Sequence, residues 1–422
     1  GARTQAIETV RKSQFISNTG YAGGGLRAIN FAATIEETLV QGNLASDEVG
    51  GGIYVFKTSL ALSNSQLISN STVNQGGGVA VLGPATITAT LFQGNSALIN
   101  GGGAYLDKDA TVTGSTFFGN NPQQEDGAAI YVLAGTVDIN NTIIANHAIA
   151  IQRLTDTVRE DYNLFDTVSK PFSGTVKAGA HSIIGTAAFV DAALNDYHLL
   201  ESSAAIDMAN ASPVLNDFDG TARPQATAPD IGAFESSFGL PTLSIGDGNV
   251  AEGNSGQETI TLPITLSFAK AVTVTANFNT SDGSAQTSTN DYLPKSGVVQ
   301  LPPGTTTTMI DVNMLGDTLV EGDENFQVLL TAPRFATLAK DTGMATIVND
   351  DNTTLNISDA TVSEGNNSTS IATFVVGLTG TSATTITVNY ATSDDTASSD
   401  IDYLSTNNTL TFAPGIIRQK IT

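Results

Sequence analysis

The chain contains no cysteine, so neither a disulfide framework nor a thiolate metal site is open to it, and cysteine usage says nothing about its redox compartment. Tryptophan is absent too, and only three histidines occur; His147, His181 and His198 are scattered, with no metal-ligand spacing. Basic residues are scarce: 17 Lys plus Arg stand against 41 Asp plus Glu, a formal charge of −24. That balance argues against nucleic acid and anionic membrane as partners and favours cations. No apolar run reaches the ~20 residues of a membrane span, and the start, Gly1-Ala-Arg-Thr4, has neither Met nor the apolar core of a signal peptide. A soluble piece of something longer is expected. What the chain does have is 40% hydrophobic residues, enough for real cores, among plentiful Gly, Ser, Thr and Asn.

Those small residues fall into a repeat. Ser13-Gln-Phe-Ile-Ser-Asn18 returns as Thr38-Leu-Val-Gln-Gly-Asn43, Ser65-Gln-Leu-Ile-Ser-Asn70, Thr90-Leu-Phe-Gln-Gly-Asn95, Ser115-Thr-Phe-Phe-Gly-Asn120 and Asn141-Thr-Ile-Ile-Ala-Asn146. The Asn positions lie 25, 27, 25, 25 and 26 residues apart, and three before each sits Phe15, Val40, Leu67, Phe92, Phe117 or Ile143. Gly23-Gly-Gly25, Gly50-Gly-Gly52, Gly76-Gly-Gly78, Gly101-Gly-Gly103 and Gly127-Ala-Ala129 keep the same beat. Leu62, Ile87, Val112 and Val137 supply a third apolar position. Three short alternating strands per repeat, with Gly or Asn at the corners, describe one coil of a parallel β-helix. The Asn is expected in the left-handed region, stacked on its neighbours. Eight or nine coils at about 4.8 Å spacing would make a rod of roughly 40 Å.

After Asn146 the rhythm loosens. Ala205-Ile-Asp207, Asp219-Gly with Arg223-Pro, and the closing Pro229-Asp-Ile-Gly-Ala-Phe-Glu235 resemble right-handed β-helix surface proteins of bacteria, the choice-of-anchor group, over residues 1–236. Some β-helices are polysaccharide lyases, which need acids clustered with an Arg or Lys base on one face. Asp47, Glu48, Asp107, Asp109, Glu125 and Asp126 form no such column. Arg153 and Arg159, flanking Glu160 and Asp161, are the best local group, read here as a solvated loop.

From about Pro241 longer alternating strands take over, such as Ile260, Leu262, Ile264 and Leu266, or Ile310, Val312 and Met314, the pattern of an antiparallel β-sandwich. Val250-Ala-Glu-Gly-Asn254 recurs as Val362-Ser-Glu-Gly-Asn366, Thr280-Ser-Asp282 as Thr392-Ser-Asp394, Asp291-Tyr-Leu293 as Asp402-Tyr-Leu404 and Pro303-Gly304 as Pro414-Gly415, each pair 111 or 112 residues apart. The organisation expected is a β-helix over 1–236, a sandwich over 241–352 and a second, incomplete sandwich over 354–422. An all-β chain results.

Glu252, Asp282, Asp291, the Asp317–Glu324 cluster, Asp350 and Asp351 all fall at strand ends or turns, which gather at the poles of a sandwich. Carboxylates converging there need a cation, and irregularly placed oxygens suit Ca²⁺ better than octahedral Mg²⁺. The Glu-Gly start, Asp282-Gly-Ser-Ala285, Asn290-Asp-Tyr292, Pro303-Gly304, the stretch Asp317 to Phe326 and Ile347-Val-Asn-Asp-Asp351 resemble the Calx-beta domain over residues 240–352. That resemblance implies calcium ligands at Glu252, Asp291, Asp317, Glu321, Glu324, Asp350 and Asp351. Asn349 and Gly316 depart from the pattern where sensor members carry acids, which implies weaker binding or fewer ions. The second module keeps Glu364, Asp394 and Asp402 but ends before its own acidic loop, so no metal is assigned to it.

The function expected is that of a calcium-binding, extracellular or cell-surface structural or adhesive protein of bacteria, without catalysis. It would self-associate into a filament or layer, or hold surface glycans. The alternative is a β-helix lyase or hydrolase acting on acidic glycans.

Overall fold

The computed structural model describes residues 2–4, 9–122, 128–211, 214–366 and 368–422. The expected loop acids Glu125 and Asp126, and Gly127, lie outside them. Among the described residues the first part is a parallel β-solenoid wrapped by sheets of 14, 8 and 5 strands. It makes about six turns over residues 9–173, fewer than the eight or nine expected; beyond that the short strands Val176–Ala178 and Ile183–Ile184 still pair with it before the chain enters a cap.

Several apolar columns fill the solenoid, and two of them show its register. One runs Val10, Ile35, Leu62, Ile87, Val112, Ile139 in register. Val137 therefore does not continue that column as the spacing suggested; it pairs with Ala110. The other runs Phe15, Val40, Leu67, Phe92, Phe117, Ile144 and Phe165. The rings of Phe92 and Phe117 stack at 4.3 Å and 4°. The glycine triplets mark where two backbones meet: a Cβ on Gly77 would stand 2.5 Å from both Gly102 O and Ser96 O.

At the corner between strands the buried amides form a ladder. The Asn43 side chain donates to Asn70 Oδ1 (2.8 Å) and to Phe15 O (2.8 Å), while Asn70 Oδ1 also accepts the Asn43 backbone N–H. The same bonds repeat at Asn70 and Asn95, and Asn120 keeps the one to a backbone carbonyl, Phe92 O. The ladder residues are not themselves left-handed, contrary to expectation. That conformation falls one residue earlier, at Ser17, Gly42, Ser69, Gly94, Gly119 and Asn146. Asn146 and Ile143 are thus one place out of register, and the rung after Asn120 is His147, whose ring meets Asn120 O at 3.0 Å and Phe117 O at 3.4 Å. The longer coil of 27 residues, also seen between Asn43 and Asn70, shifts the position by one.

Residues 183–240 form a cap with little regular structure, a short hairpin of Phe189–Asp191 with Asp196–Leu199 and a turn of 3₁₀ helix at Ala192–Leu194. Its backbone donors are satisfied by buried carboxylates. Asp217 accepts from Asp219 N, Thr221 N and Glu235 N; Asp230 from Asp207 N and Ser236 N; Glu235 from Gln225 N and Asp230 N. Arg223 pairs with Glu235 at 3.1 Å and donates to Asp230 O and Gly232 O. The acidic closing motif of this segment therefore knits the cap together.

The next module is a sandwich of a four-stranded and a five-stranded sheet. It is mostly antiparallel, but Thr242–Ile245 pairs in parallel with Thr337–Lys340, and Gly248–Ala251 in parallel with Thr342–Val348. The chain crosses between sheets at residues 246–248. There a Cβ on Gly246 would lie 2.6 Å from the Pro263 ring and one on Gly248 2.6 Å from Thr261 O, so only glycine fits. Leu262, Ile264, Val312, Met314, Phe326 and Val328 fill the interior, and Tyr292 stacks on Phe326 at 4.0 Å. The final module shows five strands and a small core of Val376, Leu378, Phe412 and Ile421.

Three outcomes test the solenoid. Phe92→Ala is expected to cost about 3–5 kcal/mol, and Asn95→Leu about 1–3 kcal/mol for each buried group left without a partner; Asn146→Gly, at a left-handed position, changes stability by less than about 1 kcal/mol. Urea midpoints followed by circular dichroism measure all three.

His147 gives a pH dependence. Burial pushes its pKa from 6.5 down to about 4 against the opposing effect of the two carbonyls. The unfolded chain therefore binds the proton more tightly, so stability is complete above pH 6.5 and is lost as pH falls toward 4, at about 1.4 kcal/mol per pH unit. His147→Asn, which extends the ladder, should flatten that part of the stability–pH curve; an unchanged slope would show that His147 is not its source.

Candidate cation-binding pole

The seven acids read from the sequence come together at one pole of the first sandwich. Glu252 ends the strand Gly248–Ala251, with its backbone N–H on Val348 O (3.0 Å). Asp291 sits in the turn before Tyr292 and accepts from Gln286 N and Thr289 Oγ1, both at 2.7 Å. Asp317 turns the acidic loop by accepting from Leu319 N at 2.6 Å. Glu324 opens the strand Glu324–Arg334 and shares a hydrogen bond with Asp291. Asp350 accepts from Gly253 N at 3.1 Å, tying the junction to the Glu-Gly turn.

Their charges act on one another. Burial, then Asp317, Glu321, Asp351 and Asp291, pushes Glu252 up to about 7. Burial, the shared bond to Asp291 and the charge of Glu321 push Glu324 up to about 7. Glu321 is raised by burial and by Asp317, Asp291 and Asp351, and Asp351 by burial and by Asp350 and Asp317. Among the described residues none of the seven pairs with Lys, Arg or His. Asp351 is 6% exposed, and its Oδ2 is buried with no hydrogen-bond partner.

Chemically this is an all-oxygen, net-negative donor set holding an unpartnered buried carboxylate oxygen, which fits a hard cation. As they stand, among the described residues no three of His, Cys, Asp or Glu are arranged to hold a metal ion. The acids ring a shared region without closing on one point.

Other predicted residues have structural partners. Asp282, grouped with the acids in the sequence, accepts Tyr292 Oη at 2.6 Å, and Asp394 accepts Tyr403 Oη at 2.6 Å in the second module. Asp323 accepts Asn349 N (3.1 Å) and so closes its own loop. Asn349, the departure from the acidic pattern, accepts Glu321 N at 3.4 Å and donates to Asp351 O at 3.2 Å, fastening the loop to the junction with a neutral amide. In the second module Asp402 accepts Ser398 N at 2.8 Å, and Glu364 is exposed.

One contact was not legible beforehand. Val320, inside the acidic loop, pairs with the second module: its N–H donates to Thr381 O (3.1 Å), and its carbonyl accepts Ala383 N (2.9 Å) and Ser382 Oγ (3.1 Å). Val320 and Thr381–Ala383 are far apart in sequence and share no motif.

The best local group of the solenoid is not a solvated loop. Glu160 is 2% exposed and takes the place after Ile139 in the inner column. It accepts from Gly179 N, Asn163 Nδ2 and Ser182 Oγ. Arg153 donates to Thr175 O, Arg159 pairs with Asp138 at 3.4 Å, and Asp161 holds His181. His198 lies between Asp196 and Asp219 on the surface of the cap.

The fold and this pole define a β-solenoid followed by β-sandwich modules with an acidic end. Residues 249–361 and 348–422 match the model of the Calx-beta domain, so this part of the chain consists of Calx-beta domains that overlap at the acidic junction. The chain is similar to three solved structures. The apo-form Calx CBD1 domain is 20% identical, over 26% of this chain and 99% of that one, with a TM-score of 0.23. CBD12 from CALX1.2 is 22% identical, over 43% and 74%, with a TM-score of 0.24. The calcium binding domain CBD12 of CALX1.1 is 19% identical, over 42% and 73%, with a TM-score of 0.23. At such values the superpositions carry no argument of their own. No curated protein matches the chain.

Glu252→Gln tests the electrostatics. In chelator it should stabilise the first sandwich by about 1–2 kcal/mol at pH 8, because a buried, repelled carboxylate is replaced by a neutral amide. Urea unfolding of the two proteins side by side measures it, and a loss of stability would contradict the crowding described.

Proposed function

We propose that this chain is a calcium-binding structural or adhesive element of an extracellular surface, in which calcium at the acidic pole stiffens the junction between the two Calx-beta modules. The observation that supports this most is the buried, unpartnered Oδ2 of Asp351, set among six further carboxylates beside a short polar junction. Glu252, Asp291, Asp317, Glu321, Glu324, Asp350 and Asp351 would hold the ion, which supplies the positive charge that the pole lacks. Extracellular calcium modules bind at about 10⁻⁴–10⁻³ M, so such a site fills outside cells and empties inside them.

The solenoid serves as a rod in this reading. Glu160 and Arg153, the residues a lyase or hydrolase would draw on, are engaged in holding the last coils together. Among the described residues no helix is long and apolar enough to cross a membrane. Association into a filament or layer, or adhesion to surface glycans, is the finer form of the proposal, and electron microscopy of the chain with and without calcium reads it.

Calcium titration followed by calorimetry and small-angle scattering tests the ion. Binding at tenfold excess over Kd stabilises by only about 1.4 kcal/mol, so the scattering profile should stiffen more than the melting point rises. Asp317→Ala and Glu321→Ala should abolish the heat of binding, and Glu364→Ala should leave it intact. Normal binding in the first two variants would remove the site from these residues.

A further inference from the structure

The chain has two joints, and they are built from different interactions. At the first, one buried apolar cluster runs unbroken from the end of the solenoid, through Leu164, Ile183, Ala204 and Ile206, into the sandwich, through Leu243, Ile264, Val272 and Leu301. The approach is close: a Cβ on Gly185 of the cap would lie 2.4 Å from Val272 Cγ1. Beside this contact Ala271 N donates to Ser202 O at 2.8 Å, and Leu240 N donates to Asp207 Oδ2 at 3.1 Å.

Lys270 crosses the same joint. Its carbonyl accepts Gly304 N at 2.9 Å, which anchors its backbone to the Pro302-Pro303-Gly304 turn of the sandwich. Its side chain ends inside the cap, where the ammonium donates to Ser203 O. Lys270 is 2% exposed, a rare state for an ammonium group without compensating charge. Asp230, Asp207 and Glu201 supply that charge from the cap side, against burial that lowers its pKa to about 8.

The second joint has no counterpart. The apolar cluster of the last module, Val376, Leu378, Phe412 and Ile421, is separate from the one before it. Among the described residues the links across it are hydrogen bonds of Val320 with Thr381–Ala383, at the edge of the acidic pole.

We propose that the solenoid and the first Calx-beta module form one rigid arm, latched by Lys270, and that bending of the chain is confined to the junction at 349–354. A continuous core transmits torque because its packing has no low-energy alternative, whereas a few part-buried hydrogen bonds with no apolar core behind them open locally at low cost. The rigidity of the first joint owes nothing to calcium, so it stands or falls separately from the calcium reading.

The absence of native cysteine allows clean spin labelling. Exposed Thr111 on the solenoid, Asn277 on the first sandwich and Thr387 on the second are replaced pairwise by Cys in the full chain, and distances are read by pulsed electron resonance in chelator. A narrow distribution for Thr111–Asn277 with a broad one for Asn277–Thr387 is expected. A broad distribution across the first pair, or equally narrow ones across both, overturns the proposal. Lys270→Glu in the labelled chain should broaden the Thr111–Asn277 distribution, while Lys340→Glu, which breaks only the exposed pair with Asp247, should not. If Lys270→Glu leaves the distribution narrow, Lys270 is not the latch.

Discussion

Everything in the first half of this molecule depends on one constraint: a backbone that turns a corner inside a stack of coils must satisfy its buried N–H and C=O groups without water. The strands do so through the coils above and below. Corners do so only in part: Gly42 and Leu44 donate to Ile68 O and Asn18 O of neighbouring coils, but the N–H of Asn43 between them turns to a side chain. The asparagine ladder answers this by giving each corner a side chain with both a donor and an acceptor, so that the Asn43 amide donates to Phe15 O and accepts the Asn18 N–H of the same preceding coil. The left-handed residue just before each rung aims the amide inward, and glycine or serine there follows from that geometry. Where the ladder ends, an imidazole takes over the same carbonyls.

Carboxylates appear in two opposed roles. In the cap, Asp217, Asp230 and Glu235 each accept backbone N–H groups, which replace the regular hydrogen bonding that this segment lacks, while burial pushes Asp230 up to about 7 and raises Glu235. At the pole of the first sandwich the acids have few such donors and no basic neighbour, and their charges are set against one another. The first arrangement is complete in itself. The second has no compensating positive charge among the described residues.

The same contrast explains the joints. Apolar area shared between solenoid and sandwich makes a contact that needs no added ion. The junction between the sandwiches carries Asp350 and Asp351 instead, so its strength is open to ions and pH. In the proposed reading the fixed joint lies between solenoid and sandwich, and the adjustable one lies where calcium would act.

Much of this was legible in the residues alone. Period-25 spacing, the glycine triplets and alternating strands determined a parallel stack, because only such a stack puts Phe92 on Phe117 and Asn95 on Asn120. The recurrence at 111 or 112 residues determined two related modules, and the seven acids at strand ends marked their pole. Register was decided only in three dimensions: counting back from Asn146 gives Ile143 as the inner residue, yet the longer coil makes it Ile144, and a one-residue slip leaves the sequence pattern almost unchanged. Long-range polar contacts were likewise invisible, since nothing local links Val320 to Ser382 or Lys270 to Ser203. The repeat reports interactions between equivalent positions, and these join positions that have no equivalents. Tertiary packing alone could place them.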